Sequence, residues 1–194
     1  MMPADYLDQA RRLLASLDAT PPAQRWQMPF PMAVFGTLRA GFRNHHLMQL
    51  GRIAARQLAF LPHFRACQID LVFHAGASAP FEIYFYEPAD WQAVIDPVER
   101  LEGFSPHGPR TGSYHRSLAW LSLLPDEFQH AAYAPAMLEA ERDLELKPAS
   151  WPQYDRVPCW IYSSIAQNER AREMPDSPII WDGVVFSGGS RIED

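Results

Sequence analysis

Cysteine is scarce in this chain: its 194 residues include two, Cys67 and Cys159, and no CxxC pair. Two isolated thiols read as free cysteines of a reducing cytoplasm, not as a disulfide framework or a redox motif. Long apolar runs are missing too, and nothing approaches the ~20 residues needed to span a bilayer. Near the N-terminus, Asp5, Asp8, Arg11 and Arg12 interrupt the stretch that a signal peptide would keep apolar. There is no excess of positive charge. The net charge is −6 and the pI near 5.6, which argues against a sequence-independent grip on nucleic acid or on an anionic membrane. No GxSxG marks a serine nucleophile. The seven histidines lack ligand spacing: His45 and His46 are adjacent and the other five are scattered, the pattern of surface or satisfied histidines and not of a metal centre.

What is present is core. Hydrophobic residues make up 47% and aromatics 12% of the chain, enough for one globular domain. Eighteen prolines, about twice the usual ~5% share, favour short elements and many loops. Residues 5–17 read as an amphipathic helix with Leu7, Ala10, Leu14 and Leu17 on one stripe. Residues 1–30 thus form an N-terminal helical extension. Strands are expected at 32–35, 53–60, 68–74, 81–86, 114–123, 158–165 and 179–186, with a loop at Ala75–Pro80. The clearest strand is Phe81–Tyr86, where Phe81, Ile83 and Phe85 alternate with Glu82, Tyr84 and Tyr86. Residues 89–102 read as helical with a break at Pro97. Asp96 is the expected N-cap, Glu99 its capping-box partner and Gly103 the stop. Residues 125–147 look helical but interrupted at Pro135, with an acidic, solvated face, and Ser187–Ser190 reads as a flexible tail. Many short strands, few helices and no regular βα alternation predict one α+β domain over residues 1–194, a mixed β-barrel or strongly bent sheet surrounded by short helices.

Three places carry chemistry. Met32-Ala33-Val34-Phe35 has the character of a buried strand that stops at Gly36, with Gly41 five residues on and Asn44 opening a new turn. A strand that ends at glycine leaves backbone N–H groups without ladder partners, and such groups ring a carboxylate or an oxyanion; the same spacing also fits an ordinary strand-to-helix turn. Glu102 sits in Arg100-Leu101-Glu102-Gly103-Phe104 at a helix end. Apolar neighbours remove water from such an acid and raise its pKa toward the range useful for proton transfer, whereas the plainer alternative is a surface glutamate. Tyr114 and Arg116 alternate with His115 and share one side of a strand; facing inward they line a pocket and bind a carboxylate, facing outward they are barrel surface. Glu82, on a face with Tyr84 and Tyr86, is a second candidate acid.

The segment Phe35-Gly36-Thr37-Leu38-Arg39-Ala40-Gly41-Phe42-Arg43-Asn44-His45 resembles the YGTLxxGxxNH signature of the γ-glutamylcyclotransferase-like, or AIG2-like, family. Phe81–Tyr86, Pro97–Phe104 and Tyr114-His115-Arg116 are similar, in the same order, to that family's strand, "LDxLEGY" helix end and "YxR" strand. The likeness covers residues 32–116. Phe35 stands where the signature has tyrosine, which removes a hydroxyl. Ser117–Val157 is longer and more helical than the family's linker and reads as a helical insertion. The resemblance implies a small β-barrel surrounded by helices, with one pocket. Its turn, here Phe35, Gly36, Thr37 and Leu38, would hold a γ-glutamyl group through backbone amides, and Tyr114 and Arg116 would line the site. Glu102 would be the general acid/base of an intramolecular cyclisation that releases 5-oxoproline and an amine. Such a reaction requires neither metal nor organic cofactor. A different class of function on the same barrel is a non-catalytic small-molecule or protein-binding module.

Overall fold

In the chain's order of pairing, each strand of the sheet finds its neighbour until the last meets the first. The computed structural model describes residues 4–67, 70–106, 114–124, 155–181 and 183. Helix α1 (Ala4–Ala15) and a single turn, α2 (Pro22–Arg25), precede strand β1 (Met32–Val34). Two 3₁₀ turns, Gly36–Leu38 and His45–Gln49, lead into β2 (Ile53–Cys67) and β3 (Asp70–Tyr86). Helix α3 (Trp91–Glu102), β4 (His115–Leu123), β5 (Arg156–Ser163), α4 (Ile165–Arg172) and β6 (Ile179–Trp181) complete the order. The strands run β2-β3-β1-β5-β4, and β4 returns to β2 through Ala59↔Leu123 and Phe60↔Ser122. The result is a closed five-stranded mixed β-barrel, with β6 added to β4. Among the described residues, only the β1–β5 pairing is parallel.

Both faces of β3 are buried along Phe81–Tyr86. Phe81, Ile83 and Phe85 join one apolar cluster with Ala10 of α1 and Ala171 of α4. Tyr84 and Tyr86, on the alternate positions, join a second cluster with Trp91, Val94, Ile95 and Val98 of α3 and with Trp160 of β5. The polar members of the alternation in Phe81–Tyr86 therefore do not face water, and Glu82 is fully buried.

Two expectations need correction. The loop expected at Ala75–Pro80 falls within β3, which spans residues 70 to 86. Ladder pairing of Ser78, Ala79 and Pro80 with Pro62, Leu61 and Phe60 overrides the local turn preference there, while residues 75–77 lie in a shift of register. The mismatch is absorbed where Pro62↔Ser78 gives way to Phe64↔Phe73, a bulge with left-handed residues at His63 (φ 62°) and Gly76 (φ 82°). Likewise, α3 does not break at Pro97 but runs from Trp91 to Glu102, with Asp90 before it. An interior proline costs about 3 kcal/mol, while each buried apolar side chain returns about 1.5–3 kcal/mol. Burial of Trp91, Val94, Ile95 and Val98 outweighs the proline. β4 and β5 occupy residues 117–123 and 156–157 of the span read as an insertion; the helical expectation at 125–147 and the tail at 187–190 lie outside the described residues.

Candidate functional site

The chain leaves β1 extended at Phe35 and turns at Gly36, whose φ of 65° lies in the left-handed region and whose Cα faces open space. The 3₁₀ turn Gly36–Leu38 then begins. The first N–H groups of such a turn have no partner within it, and among the described residues no acceptor reaches those of Gly36 or Thr37. The loop that follows closes on this turn. Asn44 N–H donates to the Thr37 carbonyl at 3.0 Å and the Asn44 side chain to Thr37 Oγ1 at 2.9 Å. Arg39 Nε donates to the Gly36 carbonyl at 3.0 Å. Ala40 N–H donates to Glu82 Oε2 at 2.8 Å. Phe35 packs against Phe81, and Leu38 is buried in the second cluster.

Helix α3 stops as the sequence predicts. Gly103 takes φ 70°, and the Phe104 N–H returns to the Glu99 carbonyl at 3.0 Å. This cap fixes Glu102 on the last turn, half-buried, and burial pushes its carboxyl up to about 7 from an ordinary 4.5. The apolar neighbours divide: Leu101 is exposed, and Phe104 turns inward against Trp26, His115 and Tyr162. Gly103→Ala is expected to lower stability by about 1 kcal/mol, since an L side chain is strained at that φ; a urea titration measures it.

Arg116 and Tyr162 are cross-strand partners on β4 and β5. Arg116 is 1% exposed and faces α3 and the aromatic residues of the second cluster. Its Nη1 pairs with Glu99 Oε1 at 2.9 Å, Nη2 donates to the Trp26 carbonyl, and the rings of Trp26, Trp91, Phe104 and Trp160 surround it. The guanidinium thus braces the last turn of α3 against the sheet. Burial raises the Tyr162 phenol above its ordinary value; Arg116 pulls it back, and the carboxyls of Glu99 and Glu102 push it further up. Glu102 is thus within electrostatic reach of Tyr162. Tyr114, at the mouth of β4, packs partly buried against the same cluster.

A cavity of about 460 Å³ opens beside this group, lined among others by Trp26, Trp91, Asp96, Glu99 and Arg116. Neither Glu102 nor the 35–38 turn is among its lining residues. The carboxylate in direct contact with the glycine loop is Glu82. The candidates thus form two groups, the turn with Glu82 and the α3 end with Glu102, Arg116 and Tyr114. Reading the sequence missed Glu99, whose pairing with Arg116 joins residues seventeen positions apart, and His45, whose Nδ1 lies 3.2 Å from the Leu38 carbonyl and 3.3 Å from the Tyr84 hydroxyl. The only sign of His45 in the sequence was its place in the Asn-His pair that closes the glycine segment. Among the described residues no group of three or more His, Cys, Asp or Glu side chains gathers to hold a metal, and no helix is long and apolar enough to cross a membrane. No protein-family model matches this chain, and no curated protein matches it either.

Proposed function

We propose that this protein is a γ-glutamylcyclotransferase-like enzyme that acts on a γ-glutamyl amine or a short γ-glutamyl peptide in the cytoplasm. The observation that carries the reading is Glu102: a carboxyl held at a capped helix end on a small closed barrel, with a proton affinity near neutrality. The N–H groups of Gly36 and Thr37, which no acceptor among the described residues reaches, support it as donors for a carbonyl oxygen.

The substrate brings its own nucleophile. Its α-amine attacks its γ-carbonyl, closing a five-membered ring, and intramolecular attack supplies a high effective concentration. Two tasks remain for the protein. The turn amides stabilise the negative charge that develops on the carbonyl oxygen. The Glu102 carboxylate accepts the proton from the attacking amine and returns it to the departing nitrogen, so that 5-oxoproline and a free amine leave with no net proton change. A group with a pKa near 7 suits both transfers at neutral pH.

Release of 5-oxoproline from a panel of γ-glutamyl amines and γ-glutamyl peptides is the direct test. Turnover of at least one member, with an acid limb in kcat/KM near pH 7, is the expected result; a panel that yields no 5-oxoproline rejects the enzyme. A second reading, a non-catalytic small-molecule-binding module, draws on the cavity beside Trp26 and Trp91, because that space is separate from both Glu102 and the turn. Saturable binding of panel members without product release selects it.

A further inference from the structure

We propose that Glu82 and Tyr84 are positioning residues that latch the 36–45 loop in the conformation that holds its ligand. The inference rests on the preceding reading in so far as the loop's ligand is the γ-glutamyl group.

Glu82 stands opposite Val34 in the β1–β3 ladder, two residues before the glycine at which β1 ends. It is fully buried, and its Oε2 accepts two hydrogen bonds, from the Tyr84 hydroxyl at 2.6 Å and from Ala40 N–H at 2.8 Å. With its hydroxyl hydrogen directed at Glu82, the Tyr84 oxygen accepts from His45 Nδ1, 3.3 Å away. The same nitrogen lies 3.2 Å from the Leu38 carbonyl. A carbonyl only accepts, so Nδ1 carries the hydrogen and the ring's tautomer is set by its neighbours. One carboxylate therefore holds the loop at two points, Ala40 directly and His45 through Tyr84.

The loop closes on itself through Asn44 and Arg39 but supplies no carboxylate of its own. Between Asp18 and Asp70 the sequence contains no acidic residue, so the carboxylate must come from another strand. Burying it is expensive, and an apolar residue would serve mere packing more cheaply. What the carboxylate adds is a single acceptor that fixes two donors in a defined geometry. Arg56, with Nη1 3.7 Å from Glu82 Oε1, offsets its charge from the rim. A loop ordered in advance loses less freedom when the ligand arrives.

The test uses Glu82→Gln and Tyr84→Phe in the full chain, with three readouts: KM and kcat for 5-oxoproline release, the pH profile of kcat, and amide hydrogen exchange. In Glu82→Gln the KM is expected to rise roughly tenfold, and in Tyr84→Phe roughly threefold, the range for losing a charge-assisted and a neutral hydrogen bond. The kcat should stay within about twofold and its acid limb should not move, because Glu102 still carries the proton. Exchange at residues 36–45 should quicken while α1 and β5 keep wild-type protection. Unchanged KM and loop exchange overturn the proposal. So does a fall in kcat with a displaced acid limb, which would make Glu82 a proton carrier. A fall in kcat at constant KM would mark a general loss of folded enzyme and also overturns it. If the wild type releases no 5-oxoproline, the enzymatic reading fails and exchange alone decides: quickening confined to 36–45 supports the latch, and its absence rejects it. Should Glu82→Gln fail to fold, Tyr84→Phe carries the same readouts.

Discussion

Glu102→Gln is expected to remove 5-oxoproline release by a factor of at least about 10²–10⁴ while leaving the barrel folded. Glutamine keeps the shape of the side chain and its packing at the end of α3, and loses only the ability to take up and return a proton. A second effect runs the opposite way. The folded state holds this carboxyl at about 7 against an ordinary 4.5, so folding favours its protonated form. The stability contributed by that protonated form is fully present below about pH 4.5 and is lost as the pH rises through 7. At pH 8 the wild type therefore holds a charge in a place that disfavours it. The gap between the two pKa values bounds the penalty at about 3 kcal/mol; partial exposure reduces the expectation to about 1–2 kcal/mol. Glu102→Gln should thus be more stable than wild type at pH 8 and equal to it at pH 4, measured by urea denaturation at both pH values. An inactive and more stable variant identifies a group kept for chemistry. Wild-type-like turnover, or a variant destabilised at pH 8, rejects Glu102 as the proton carrier.

The largest expected loss of stability comes from Arg116→Met. The substitution retains most of the volume among Trp26, Trp91 and Trp160 but leaves Glu99 without its cation and the Trp26 carbonyl without its donor. Removing one member of a buried ion pair costs about 3–5 kcal/mol, because the remaining charge is stranded. For a chain of this size that corresponds to a fall in Tm of roughly 10 °C. The double variant Arg116→Met with Glu99→Gln should recover a large part of it. If the double variant is no better than the single one, the pair is not the brace of α3 and the loss lies in packing alone.

How much of this was legible before the coordinates depends on the kind of interaction. The glycine-terminated strand and the stop at Gly103 are local: each follows from one residue's conformational freedom, and both stand where the sequence put them. The barrel class followed from many short strands without βα alternation. Ala75–Pro80 and Pro97 misled for a common reason. Local preference pointed to a loop and to a break, while pairing of Ser78–Pro80 with β2 and burial of α3 against the second cluster decided otherwise; at residues 75–77, where the register shifts, the turn at Gly76 stands. The site was legible residue by residue but not as an arrangement. Glu102 and Arg116 were named, yet Glu99, which ties them to one helix turn, looked like a capping residue. Glu82 was named for its face, while its grip on Ala40 depends on a loop 42 positions away in the chain.

The closure of the barrel has a mechanical consequence. Long ladders weld β2 to β3 and β4 to β5, but one residue pair joins β1 to β5 and two join β4 to β2. The molecule is in effect two stiff ribbons stitched along thin seams. The glycine loop and Glu82 ride on the first ribbon, and Arg116 and Tyr162 on the second. Amide hydrogen exchange is therefore expected to be faster across the β1–β5 and β4–β2 seams than within either ribbon's own ladder.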